Sequence, residues 1–216
     1  MRPEEEFSLL RRRMVAEQLA ARGIHDPLVL TAMGKVRRHC FVKQADLPWA
    51  YSDEALPIGY GQTISQPYIV AVMTELLAVQ PGNRVLEVGS GSGYQAGVLG
   101  ELATEVHTVE VIPELARKAG ETLAALGYDH VHVHMGDGSP GWPEEAPYDR
   151  ILVAAATPEA PRPLLEQLIE GGQLVAPVGG RSVQRLELWK RVGEDFISQG
   201  NIQVCFVPLR GQFGWK

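Results

Sequence analysis

The spacing of apolar positions along this 216-residue chain changes character near residue 65. Ahead of that point, Phe7, Leu10, Met14 and Ala21 fall near one stripe of a helix predicted over 4–22. Its start is acidic, which suits the helix dipole, and Gly23 supplies a stop. Asp26-Pro27 is a cap-then-proline start for a second short helix. Residues 37–65 read as irregular, punctuated by Pro48, Pro57, Gly59 and Gly61. Beyond 65, Ile69, Val72, Met73, Leu76 and Leu77 are spaced for one helix face that Pro81-Gly82 ends. Apolar runs at 85–88, 106–109, 130–134, 151–154 and 174–178 then read as strands. Helical stretches separate them: one after a glycine turn to about Leu102, one opened by Pro113 with Leu115, Ala119, Leu123 and Leu126 on one stripe, and one including Leu164 to Ile169. This alternation predicts an α/β domain whose mostly parallel sheet has helices on both faces. Arg185–Val192 and Ile202–Leu209 have no helix between them and are expected to pair as a C-terminal antiparallel hairpin at the sheet edge. The expected organisation is a single domain: a helical cap over 1–65, an α/β core over 66–180, and a hairpin with tail over 181–216.

Composition narrows the function classes. Apolar residues are 45% and charged residues 21%, an ordinary globular balance. Lys and Arg number 20 against 26 Asp and Glu, a net charge of −6. That balance argues against nucleic acid or anionic membrane as a partner. Arg11-Arg12-Arg13 and Arg37-Arg38 are local basic clusters, and the first reads as a solvated helix face or a source of salt bridges. No apolar run approaches the ~20 residues a membrane helix needs. Glu4-Glu5-Glu6 stands where a leader peptide would be apolar, so a cytoplasmic location is expected. Cys40 and Cys205 are too few for a disulfide framework and read as buried thiols.

The sharpest local chemistry lies in Val85-Leu86-Glu87-Val88-Gly89-Ser90-Gly91-Ser92-Gly93-Tyr94. Glycines directly after a strand let the backbone approach a ligand, and the helix start behind them offers N–H groups. Gly91-x-Gly93-x-x-Ala96 also fits a relaxed dinucleotide spacing, so glycines alone do not choose between NAD and S-adenosylmethionine. Glu110, at the end of the second strand, suits the ribose hydroxyls of either cofactor. Glu87 sits inside a buried strand, where a charge is costly without a partner. It would repel a pyrophosphate and attract a sulfonium or an amino group. Asp137-Gly138 adds an acceptor where an adenine would lie, or is a plain turn. Together these residues favour S-adenosylmethionine.

Gly61-Gln62-Thr63-Ile64-Ser65-Gln66-Pro67, followed by the glycine loop, Gly136-Asp137-Gly138 and Val207-Pro208-Leu209, resembles the protein-L-isoaspartate (D-aspartate) O-methyltransferase family over nearly the whole chain. Arg37 to Val42, Tyr51-Ser52-Asp53, Leu56 to Gly59 and Pro147 to Arg150 stand in the family's order. The resemblance implies a Rossmann-like, S-adenosylmethionine-dependent methyltransferase fold. It implies a repair enzyme that methylates the α-carboxylate of L-isoaspartyl and D-aspartyl residues in damaged proteins. The ester then returns through a succinimide to aspartate.

The resemblance also assigns residues. Ser65 matches the family's active-site serine, although a serine before Gln66-Pro67 also reads as a helix N-cap. Cofactor contacts are implied for Thr63, Ile64, Ser65, Glu87, Gly89, Ser90, Gly91, Glu110, Val111, Asp137 and Gly138. Substrate contacts are implied for Ile58, Ala155 and Val207. Glu87 departs from the aspartate the family often has there. The tail from Arg210 to Lys216 departs most, so it carries no expected cofactor contact, while Arg210 could attract a substrate carboxylate. His130, His132 and His134 share a strand face, but without a further ligand cluster no metal is expected. Isoaspartyl proteins and peptides are the expected partners, and a monomer is favoured.

Overall fold

The computed structural model describes residues 4–215. Met1 to Pro3 and Lys216, into which the N-terminal and tail expectations extend, lie outside the described residues. The predicted first helix is built in three pieces. α1 (Glu4–Arg13) runs into a π-helical turn over Met14–Leu19 and a 3-10 turn over Ala20–Arg22, closed by Gly23 at φ 97°. The widened turn shifts the phase of the apolar stripe, so Leu19 is buried and Ala21 is exposed, contrary to expectation. Arg11 also departs from a solvated face: it is buried and donates to Gly34 O and Tyr51 Oη. α2 (Pro27–Lys35) starts as expected, with Asp26 accepting from the Leu28 and Val29 N–H groups.

Residues 37–65 are more ordered than their composition implies. β1 (Leu56–Gly59) and β2 (Gln62–Ile64) form an antiparallel hairpin too short for a period of two to be visible. Arg38 is fully buried, so Arg37-Arg38 is no basic patch. Its Nε donates to Ala50 O, its Nη2 donates to Glu54 O, and its guanidinium lies 4.8 Å from the centre of the Tyr94 ring. Burial pushes that guanidinium down to about 10. The segment leading to Asp53 is thereby tied to the core.

The core follows as α3 (Pro67–Leu77), β3 (Arg84–Val88), α4 (Tyr94–Gly100), β4 (Glu105–Glu110), α5 (Pro113–Ala125), β5 (Val131–Met135), β6 (Tyr148–Val153), α6 (Arg162–Glu166), β7 (Leu168–Gly179), β8 (Gln184–Val192) and β9 (Asp195–Val204). The seven strands lie in the order β5-β4-β3-β6-β7-β8-β9. β5, β4, β3, β6 and β7 pair in parallel, and β7-β8-β9 are antiparallel. Alternate residues bury opposite faces. Val85, Val106, Leu152 and Val175 pack with the N-terminal cap, α3 and α4. Leu86, Val109, Ile151 and Leu174 pack with α6 and Leu209.

Two boundaries differ from expectation. Leu168 and Ile169 open β7 instead of ending a helix, because Leu168 pairs with Tyr148 across the sheet. The last strand begins at Asp195 rather than Ile202, because Val192 pairs with Asp195 across a two-residue turn with Gly193 at φ 62°. Residues 205–209 leave the sheet, and Pro208 bridges to Ala156 beside the end of β6. Cys205 is consequently exposed rather than buried, while Cys40 is half-buried, and both thiols are free. Among the described residues no helix is long and apolar enough to cross a membrane.

Candidate active site

The strand order reverses between β3 and β6, which opens a crevice at the carboxyl ends of β3, β4 and β6. A cleft of about 760 Å³ lies there. Its floor is the loop from β3 to α4. Gly89 and Gly93 hold φ of 96° and 88°, where a side chain would be strained. The loop is tied down by backbone bonds from Gly89 N to Val109 O at 2.8 Å and from Gly93 N to Ser90 O at 2.7 Å. Gly138 forms another wall, and a Cβ there would lie 3.0 Å from both Val88 and Val109.

The two acids at this cleft are held differently. Glu110 accepts from Gly91 N at 2.8 Å through Oε2 and from Ile112 N at 2.9 Å through Oε1. Its carboxylate is therefore locked against the loop. Glu87 is fully buried. Its Oε2 accepts from Thr108 Oγ1, whereas Oε1 has no partner. Burial, reinforced by Glu110 and opposed by the Thr108 bond, pushes this carboxyl up to about 8. A buried carboxyl with an unpartnered oxygen in a cleft wall suits a cationic ligand.

Most of the sequence-assigned cofactor residues converge here. Thr63, Ile64 and Ser65 line one side, Gly89, Ser90 and Gly91 the floor, and Glu110, Val111 and Gly138 the far side, with Glu87 below. Ala155 and Val207 also line the cleft. Asp137 and Ile58 do not. Asp137 accepts from Ser139 N through Oδ1 and from Gln212 N through Oδ2, so its carboxylate is turned to the C-terminal tail. Burial acts to raise that carboxyl, but the bonds from Gln212 and Ser139 outweigh it and hold it below the usual carboxylate range. Ile58 is buried behind the loop, with its Cδ1 3.4 Å from where a Gly91 Cβ would lie. Arg210 is in the cleft lining, and the tail beyond it is held by Trp215 Nε1, which donates to Ala156 O at 3.1 Å.

Ser65 is not the N-cap of α3. That position is Gln66, with Pro67 following. The first turn is held instead by Asp53, whose Oδ1 accepts from Tyr68 N at 3.1 Å and whose Oδ2 accepts from Gln66 Nε2 at 2.7 Å. Arg22 pairs with the same carboxylate. The capping work thus comes from a residue twelve positions upstream of Ser65, and sequence spacing gives no sign of it. A second groove of about 920 Å³ runs beside the cleft between Asp53–Ala55, Ile69 and Gln203–Val207. Thr63, Ser65, Ala154 and Val207 line both cavities, so Ser65 stands where they meet.

The histidine run resolves into a structural cluster. His130 precedes β5 and hydrogen-bonds Gly100 O at 2.8 Å. His134 Nε2 lies 3.0 Å from His107 Nδ1, and its ring stacks on Trp142. Burial holds His107 and His134 below the usual imidazole range. Among the described residues no group of three or more His, Cys, Asp or Glu is placed to hold a metal ion.

Comparison with known proteins agrees with this geometry. A family model described as protein-L-isoaspartate(D-aspartate) O-methyltransferase matches residues 10–214. The chain is 55% identical to a Picosynechococcus protein-L-isoaspartate O-methyltransferase over 202 residues, covering 94% of this chain and 90% of the relative. It is 56% identical to one from Methanoculleus marisnigri, covering 95% and 94%. A solved structure described as a protein-L-isoaspartate O-methyltransferase from Plasmodium falciparum, in complex with S-adenosyl-L-homocysteine, superimposes with a TM-score of 0.80 at 26% identity, covering 93% of this chain and 98% of that one.

Proposed function

The chain belongs to the protein-L-isoaspartate (D-aspartate) O-methyltransferase family, and from that premise we infer how its two cavities divide the work. The enzyme uses S-adenosylmethionine to methylate the α-carboxylate of isoaspartyl residues in damaged proteins. The resulting ester closes to a succinimide, which reopens in part as normal aspartate.

The cleft fits the cofactor on three counts: the close glycine floor, the locked Glu110, and the orphaned Glu87 Oε1. When bound, S-adenosylmethionine supplies a methyl carbon made electrophilic by a sulfonium. In this proposal Glu87 and Glu110, with Gly89, Ser90, Gly91, Val111 and Gly138, hold it. Asp137 acts one step removed, by fastening the tail that brings Arg210 to the rim. Ile58 supports the loop from behind.

The acceptor side makes small demands. A carboxylate with pKa near ~4 is already ionised at pH 7, so no general base is required. What is required is water exclusion and alignment of one carboxylate oxygen. Ser65 donates a hydrogen bond to the other oxygen of the substrate α-carboxylate. Val207, which lines both cavities, shapes the passage between them, and Ala155 lines the cleft side. The groove takes the peptide backbone, which is where isoaspartate differs from aspartate. The observation that carries this assignment is the position of Ser65 at the junction of the two cavities, relieved of capping by Asp53. Ser65→Ala should lower turnover on an isoaspartyl peptide by about 100-fold, the usual cost of an oriented donor, and leave cofactor affinity within about twofold. Unchanged turnover would remove Ser65 from the mechanism. A cytoplasmic enzyme without nucleic-acid or anionic-membrane partners completes the proposal, supported by the net charge of −6 and two unpaired thiols.

A further inference from the structure

Thr108 has no part in the roles assigned so far, yet it is completely buried and polar. It is the register partner of Glu87 across the β3–β4 pair, so both side chains stand on one face of the sheet. Thr108 Oγ1 bonds Glu87 Oε2 at 2.5 Å and lies 2.6 Å from Ser90 Oγ. Three buried groups therefore form one chain from the strand carboxyl to the cofactor loop. A hydroxyl donates one proton and accepts others. With Glu87 ionised, Ser90 donates to Thr108 and Thr108 donates to Glu87. With Glu87 protonated, each donation can run the other way. The same two hydroxyls thus hold the carboxyl in one place in either charge state.

We propose that Thr108 is a positioning residue for Glu87, fixing Oε2 so that the unpartnered Oε1 faces the cofactor cleft and favours the cationic methyl donor over its uncharged-sulfur product. Both ligands carry the same amino-acid and nucleoside parts and differ by one methyl and the charge on sulfur. A carboxyl oxygen held at the cleft therefore discriminates between them by charge. Without the hydroxyl, the carboxyl is free to turn, and the preference for the cation is lost. The proposal rests on the reading that this cleft holds S-adenosylmethionine.

The test is calorimetric titration of the full chain with S-adenosylmethionine and, separately, with S-adenosylhomocysteine, at pH 6.5 and 8.5. Thr108→Val keeps the shape and removes the hydroxyl. Its affinity for the methyl donor should fall roughly tenfold, the scale of a hydrogen bond to a charged group. Its affinity for the product should stay within about twofold. Thr108→Ser should restore the donor-to-product ratio. In the unmodified protein that ratio should rise with pH, and in Glu87→Gln it should be low and flat. Equal weakening of both ligands in Thr108→Val, or a ratio unchanged by the substitution, would overturn the inference and reduce Thr108 to packing. If the unmodified protein transferred no methyl group to an isoaspartyl peptide, the functional reading itself would fail, which is a separate outcome.

Discussion

The cleft and the groove, which we propose hold cofactor and substrate, touch at Ser65 but are made from different material. The cleft is assembled from the ends of adjacent parallel strands and one glycine loop. Its two acids are buried, and Glu110 is tied to the backbone of Gly91 and Ile112. The groove is assembled from distant segments: Asp53 to Ala55 of the N-terminal cap, the start of α3, and Gln203 to Val207 after the edge hairpin. Glu54, Ala55 and Cys205 in its walls are exposed. A site built on the fixed ends of neighbouring strands suits a ligand that is the same in every turnover. An open wall made of chain segments suits substrates that share one backbone defect and little else.

This contrast predicts which substitutions affect which ligand. Gly138→Val should have the largest effect, because its Cβ would press on Val88 and Val109, which are fixed in neighbouring strands. Overpacking of this kind costs about 1–3 kcal/mol. We expect lower thermal stability and cofactor affinity reduced roughly 100-fold, read by calorimetry. Normal cofactor binding would show the cleft to be more pliant than described.

Glu87 gives the next effect. Its folded carboxyl sits at about 8, above the ordinary value of 4.5, so the folded protein binds more protons than the unfolded chain between these values. The stability contributed by that protonated group is present at low pH and is lost as pH rises through the window toward 8 and beyond. Glu87→Gln should remove this loss, so that between pH 5 and pH 8.5 the variant gains on the order of 4 kcal/mol of ligand-free stability relative to the unmodified protein. Parallel pH profiles for the two proteins in denaturant titrations would contradict the placement of this charge.

The groove should respond more mildly and in a different quantity. Phe206→Ala should raise KM for an isoaspartyl peptide about fivefold, the scale of one lost apolar contact, with the cofactor Kd within about twofold. Equal changes in both would mean the cavities are not separable. The smallest effect should come from a maleimide. Cys205 should react before Cys40, whose thiol is half-buried and pushed up by burial. Labelling Cys205 should slow peptide methylation without reducing cofactor binding, and mass spectrometry of the labelled protein checks the order.

The same contrast explains what was legible in the sequence. Glu87 and Gly89 lie within one strand and its loop, and Glu110 ends the next strand 21 residues after Gly89, so all three are readable from the strand pattern. The reversal of strand order that makes the crevice follows from the alternating α/β pattern. Asp53 was visible only as part of a motif, because its work on Gln66 and Tyr68 depends on a fold-back that no period encodes. Asp137 is readable as an acceptor or a turn residue, whereas its bond from Gln212 N depends on the path of the tail. Thr108 looked like a strand-forming residue, and its meaning depends on register with Glu87. The π-helical turn near Leu19 and the early start of β9 at Asp195 were missed for a related reason. In both places tertiary packing overrode a plausible local phase.

In the proposed division of labour, Ser65 and the groove select a misplaced carboxylate while the cleft presents a methyl group to it. The most direct measurement uses methyl-labelled S-adenosylmethionine and two peptides identical except for aspartate or isoaspartate at one position. Base-labile label should appear on the isoaspartyl peptide alone. Equal labelling of both peptides, or of neither with the cofactor bound normally, would contradict the account.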